Sequence, residues 1–301
     1  LREAAACSGF SPAIDYTLGP GTLVTYVSGL RKGVALLATR ALVRAHDPST
    51  SAEAWRDYSA ARSLTRFADL RPTLIEMLTG IACDSMATGA LLGMLEVSGM
   101  PEHASAISAE LSSAAHRCPR HFEKALHAER LLFADWMWER VSGGGDWVRE
   151  LSSEIGPERG LLLGGWFPNR LARTYFAWDL RHLYELHLDA LLATRASPID
   201  APMRWQALKE RAETSQARIT RILAPTLGRV ARTVAVNQAR LLVIVAAIDT
   251  HAGLQHALET ADPCSGFPLV IRVSAYEILA YAYGPDADDD GGRAPTSMQD
   301  L

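Results

Sequence analysis

From Leu23 onward, apolar residues recur at spacings of three and four: Leu23, Tyr26, Val27, Leu30, Val34, Leu37 and Ala41. That spacing puts them on one face of a helix, and His46-Asp47-Pro48 ends it. Thr50 and Glu53 have the spacing of a capping box, so a second helix is predicted from there to about Leu70. Pro72 suits the first turn of a third, which carries Leu74, Leu78, Ile81, Leu92 and Leu95 and stops near Gly99. Pro101 and Pro119 are read as openings of two more, the second ending at Gly143-Gly144-Gly145. A short helix or loop covers roughly 146–167. Pro168 then starts a long helix to about Thr194, residues 201–223 form another, and Pro225 opens the last, to about His251. Residues 1–19, broken by Gly9, Pro12 and Gly19, read as irregular.

The pattern changes after Gly253. Pro268-Leu269-Val270-Ile271-Arg272-Val273 and the run Tyr276 to Tyr283 are β-prone and of strand length, with Ser274-Ala275 between them. The expected fold is mainly α: an antiparallel bundle or irregular array of about eight or nine helices, joined by short connectors, with a small C-terminal β-hairpin. Residues 1–253 would form the helical domain, 254–292 the hairpin and acidic-loop module, and 293–301 a tail. No clean repeat period emerges.

Composition narrows the class. The chain has 301 residues, 48% hydrophobic, with 30 basic and 34 acidic residues and a net charge of -4. No clustered basic excess marks a nucleic-acid surface, and no block of like charge marks disorder. The longest purely apolar run, Leu241 to Ile248, is too short to span a bilayer. The chain starts at Leu1, not at a methionine; an upstream signal peptide or anchor is open, and membrane association is expected only through a segment outside these residues. Cys7, Cys83, Cys118 and Cys264 are far apart and contain no C-x-x-C pair, which disfavours zinc. One or two disulfides are open to them; Cys83, in an apolar helix, reads as a small buried hydrophobe.

The best candidate for chemistry is the acidic loop Asp286, Asp288, Asp289 and Asp290, bordered by glycines. Calcium wants many oxygen ligands on a flexible loop, and the alternate carboxylates Asp286, Asp288 and Asp290 could converge on one ion, although the distal Glu of an EF-hand is missing. A second candidate places Asp179, His182, Glu185 and Asp189 on one helix, with Glu123 and His127 on another. A di-metal carboxylate site needs Glu-x-x-His on two helices, and neither helix has it there. No G-x-S-x-G elbow and no phosphate-binding glycine motif occurs. Trp136, Trp138, Trp147 and Trp166 could line a groove but read first as core.

Two stretches carry a resemblance. Asp262-Pro263-Cys264-Ser265-Gly266-Phe267-Pro268-Leu269, two strands and then Gly284-Pro285-Asp286-Ala287-Asp288-Asp289-Asp290-Gly291-Gly292 resemble the end of type II secretion major pseudopilins. With Pro72-Thr73-Leu74-Ile75, the whole chain resembles a family of extracytoplasmic helical proteins common in planctomycetes, typically carrying an N-terminal anchor. The chain departs from the pattern at Asp286-Ala287-Asp288, where Asp-Gly is usual, and in the short 253–261 stretch. The resemblance implies a periplasmic or envelope location and structural calcium in the loop, and it brings no activity. The expected role is a non-catalytic scaffold or protein-interaction subunit, possible within a membrane-associated complex. The alternative is an enzyme, or a small-molecule or lipid binder, with a site between helices around His127, His182 or Glu185.

Overall fold

A computed structural model describes residues 1–7, 14–21, 24–69, 73–142, 169–253, 260–274, 277–285, 287–289 and 291. The chain runs α1 (Arg2–Ala5), a 3-10 turn (Tyr16–Gly21), α2 (Tyr26–Ala45), a 3-10 turn (Pro48–Thr50), α3 (Ser51–Asp69), α4 (Leu74–Ser98) and α5 (Ala104–Glu129). A π-helical segment (Arg130–Asp135) leads into α6 (Trp136–Ser142). Then follow α7 (Asn169–Thr194), α8 (Ala201–Thr214), α9 (Arg218–His251), β1 (Val270–Val273) and β2 (Ile278–Tyr281). The mainly α class with a small C-terminal hairpin is therefore what the chain adopts.

α5 and α9 form the spine. They run antiparallel and cross two core clusters. Phe122 and Leu126 meet Leu227 and Val234 in one; Leu111 and Ala115 meet Leu241 and Ile244 in the other. α9 has 34 residues, about 50 Å of helix. α6, α7 and α8 complete the first cluster; parts of α2, α3 and α4 complete the second. A third cluster joins α1 to α2, α3 and α4 through Ala5, Val34, Leu64 and Cys83. Cys83 is fully buried, and burial pushes its thiol up to about 12. α4 and residues 226–251 of α9, each of mean hydropathy 1.4, are apolar enough to cross a membrane by length and composition alone. Here both are central helices of this core.

Four readings at helix starts are corrected. Thr50 forms no capping box: its hydroxyl donates back to the Arg44 carbonyl at 2.8 Å, while Glu53 pairs with Arg2 and Arg56. Asp47 caps this turn instead, accepting from the Ser49 amide at 2.8 Å. The capping box lies at Thr73 and Glu76, at the head of α4, so that helix begins beyond Pro72 rather than on it. Pro119 does not open a helix; it sits inside α5. Pro225 likewise lies within α9, and the chain breaks earlier, at Ser215 to Ala217. An interior proline costs about 3 kcal/mol by removing one backbone hydrogen bond. Packing of α5 against α9 on both sides of Pro119 outweighs that local preference.

Two buried carboxylates fasten the N-terminal stretch. Asp57 is fully buried and takes hydrogen bonds from Arg2, Arg40 and Arg44. Burial pushes its carboxyl up, but Arg40 and Arg2 outweigh that and hold it below the usual range. Glu76, also fully buried, accepts from Tyr26 at 2.7 Å and Tyr16 at 3.3 Å.

The hairpin is antiparallel, with Val270 opposite Tyr281 and Val273 opposite Ile278. The turn that leads into it is organised by Asp262, fully buried, which accepts from the Cys264 amide at 2.8 Å, Ser265 Oγ at 2.7 Å and the Gly284 amide at 3.1 Å. Leu269 anchors the hairpin in the cluster that holds Leu241 and Ile248.

Candidate functional site

The larger of two described grooves, about 550 Å³, lies between α8, α9 and the C-terminal module. α8 contributes Pro202, Trp205 and Lys209; α9 contributes Gly228 and Ala231; the module contributes Pro263, Cys264 and Pro285. Trp205 is half-buried, with its ring 5.9 Å from Phe122 of the core, so the core fixes its position. The module wall stands where Asp262 and Gly266 put it. Gly266 has φ +78°, and a Cβ there would lie 2.6 Å from Ile199 in the α7–α8 connection. Only glycine allows that approach.

The rim is cationic. Lys209, Arg229 and Arg232 face the groove, with Glu213 as its carboxylate, 3.8 Å from Lys209. Both arginines are exposed, and among the described residues neither has a carboxylate partner. The one thiol in the wall, Cys264, is pushed up to about 12 by burial and by Asp262, so it carries no thiolate near neutrality. Apolar floor, basic rim and inert thiol suit binding rather than bond-breaking.

The second groove, about 460 Å³, lies between α7, α8 and the start of α9. It brings together His182 and Glu185 with Trp178, Arg211 and Ser215. His182 Nδ1 donates to the Trp178 carbonyl at 2.8 Å, which leaves Nε2 as the acceptor nitrogen. The Trp178 ring lies 4.2 Å from the imidazole, and Glu185 is paired with Arg181 at 3.1 Å.

The other sequence candidates disperse. Asp179 is fully buried and accepts from the Thr220 amide at 3.3 Å, at the head of α9. Asp189 pairs with Arg211, and Glu123 with Arg195. His127 is half-buried on α5. Among the described residues, no three His, Cys, Asp or Glu side chains come together as a metal site. In the acidic loop, Asp286 and Asp290 lie outside the described residues. Asp289 accepts from Tyr281 Oη at 2.8 Å and the Gly291 amide at 3.0 Å, bonds that hold its carboxyl below the usual range. Trp136 is core and Trp138 exposed; Trp147 and Trp166 lie outside the described residues. All four cysteines are free.

Sequence reasoning missed Trp205, Arg229 and Arg232. The one signal was an Arg-x-x-Arg pair beside Gly228, Ala231 and Ala235 on α9. Nothing in the local pattern shows that the hairpin module closes over that face. Comparison with protein-family models, curated proteins and solved structures gives no match.

Proposed function

We propose that the chain is a non-catalytic interaction subunit, working outside the cytoplasm as a scaffold in a membrane-associated complex, and that the α8–α9–module groove holds a segment of its protein partner. The observation that carries this is the groove's make-up. Three separate stretches of chain wall it, its floor is apolar, and its rim presents two arginines that have no carboxylate partner among the described residues. The extracytoplasmic setting rests on the likeness of the 262–292 stretch to pseudopilin ends.

Gly228 gives the test. A Cβ added there meets nothing within 4 Å, and Gly228 lines the groove, so Gly228→Trp is expected to fill groove space and leave the core in place. Tagged full-length protein, crosslinked in its native membranes and purified, should recover stoichiometric partners. Gly228→Trp should lose them while melting at the wild-type temperature. An unchanged partner set in the variant overturns the proposal.

A second reading, an enzyme or small-molecule site, draws on the His182 groove, where Nε2 is left as an acceptor beside Glu185. His182→Ala and Glu185→Gln would then abolish turnover of a screened substrate at unchanged stability. A stability loss in its place assigns these residues to structure.

A further inference from the structure

The occupant of the α8–α9–module groove follows from its charges, taking as given the reading that a partner segment docks there. We infer that the groove takes an acidic peptide segment of a protein partner: a short stretch carrying at least two Asp or Glu residues and one apolar side chain.

Charge complementarity is the first ground. Arg229 and Arg232 are three residues apart on α9, which on a helix makes them neighbours on one flank. Lys209 stands on α8, across the groove. The rim thus offers three cations against Glu213, and Glu213 already lies 3.8 Å from Lys209. This is a basic patch on a chain whose net charge is -4. A guanidinium offers a planar fork of donors that fits a carboxylate through two parallel hydrogen bonds. Two such forks, one helical turn apart, suit two carboxylates on one extended or helical segment.

The chain's own acid does not neutralise the patch through Asp289. That carboxylate is turned to Tyr281, the Gly291 amide and Arg272, the last at 3.9 Å. Among the described residues, no carboxylate takes up the donors of Arg229 or Arg232.

Shape is the second ground. Gly228 leaves the surface of α9 bare where it lines the groove, and Ala231 and Ala235 continue that strip of small residues towards its C-terminus. A peptide backbone can lie close there. Trp205, with Pro202 beside it, offers one apolar and aromatic contact, enough for one anchoring side chain. A nucleic acid would need a longer basic stripe than three cations.

The test uses the full chain and an unbiased probe. An array of random peptides of about ten residues is probed with labelled protein, and bound sequences are read for composition. Enrichment in Asp and Glu is expected, with affinity falling as salt is added. R229E/R232E should weaken the selected peptides at least about tenfold. Both arginines are exposed, so the fold should survive their reversal, as an unchanged melting temperature would verify. Bound peptides rich in Lys or Arg, bound peptides without charge bias, or full affinity in R229E/R232E overturn the inference. So does binding confined to vesicles of phosphatidylserine and phosphatidylcholine. Loss of the native partner in Gly228→Trp without acidic enrichment on the array leaves the docking groove standing and removes only the acidic occupant. Acidic enrichment with the partner retained in Gly228→Trp does the reverse.

Discussion

Ala287 is the described non-glycine residue with a positive φ, +61°. An L side chain there crowds the following carbonyl, at a cost of about 1–2 kcal/mol. The sequence showed an alanine between two aspartates here, with no sign that the backbone at Ala287 turns left-handed. Glycine suits this backbone, so Ala287→Gly should raise stability by about 1 kcal/mol in urea unfolding, and a loss would show that the alanine methyl packs usefully. Asn237 is the opposite case, a residue whose role no pattern predicts. It is 3% exposed, and among the described residues Oδ1 has no hydrogen-bond partner and Nδ2 reaches Cys118 Sγ at 3.9 Å. It faces a cavity of about 20 Å³, which Cys118, His121 and Asp84 also line. An unpaired buried acceptor costs about 1–3 kcal/mol, so Asn237→Leu, of similar volume, should leave stability equal or higher. A clear drop in the urea midpoint would mean that the amide is satisfied by a group bound in the cavity.

Among the elements, helix existence was legible and helix edges were less so. Periods of three and four exposed α2 and α3 because each has one apolar face, while α4 was legible as a long helix that is apolar nearly all round. Pro119 and Pro225 misled because proline is a local signal, while α5 and α9 are held by contacts far along the chain. Thr73 and Glu76 carried a readable T-x-x-E that the preceding proline obscured. The head of α4 also recruits Glu129 from α5, which accepts the Leu74 amide at 3.1 Å. Burial, with Glu76 nearby, raises the Glu129 carboxyl above its ordinary value; the bond from Leu74 opposes that. The folded state therefore holds this proton more tightly than the unfolded chain. The stability it contributes is present below the ordinary carboxyl pKa and is lost as pH rises through the raised folded value. Glu129→Gln keeps an acceptor for Leu74 and removes the charge. The variant should gain on wild type at neutral pH, and the difference should close as pH falls towards 4, about the ordinary Glu range. Parallel stability curves for the two proteins would disprove the burial account.

On the scale of the whole molecule, what sequence could not show is how the hairpin joins the helices, because that joint depends on one buried side chain and one distant amide. Asp262 holds Cys264 and Ser265 in its own turn and the Gly284 amide from beyond β2. Leu269 and the half-buried Ile271 then pack on the α5–α9 cluster with Leu241 and Ile248. The same arrangement sets Pro263, Cys264 and Pro285 as a wall of the groove. Asp262→Ala strips three donors of their buried acceptor and should cost about 3 kcal/mol. The spatial pattern of that loss is the sharper measurement. Hydrogen exchange should rise across 260–289, and also in the half of α9 around Leu241 to Ile248 that loses Leu269. α7 and α8, whose side chains lie in the other cluster, should keep their protection. Loss confined to the hairpin would mean that Leu269 adds nothing to the helical core. Uniform loss through α7 and α8 would mean that the spine transmits the damage between clusters. In the expected case the variant loses acidic-peptide binding as well, since the rim arginines remain but the wall opposite them is gone.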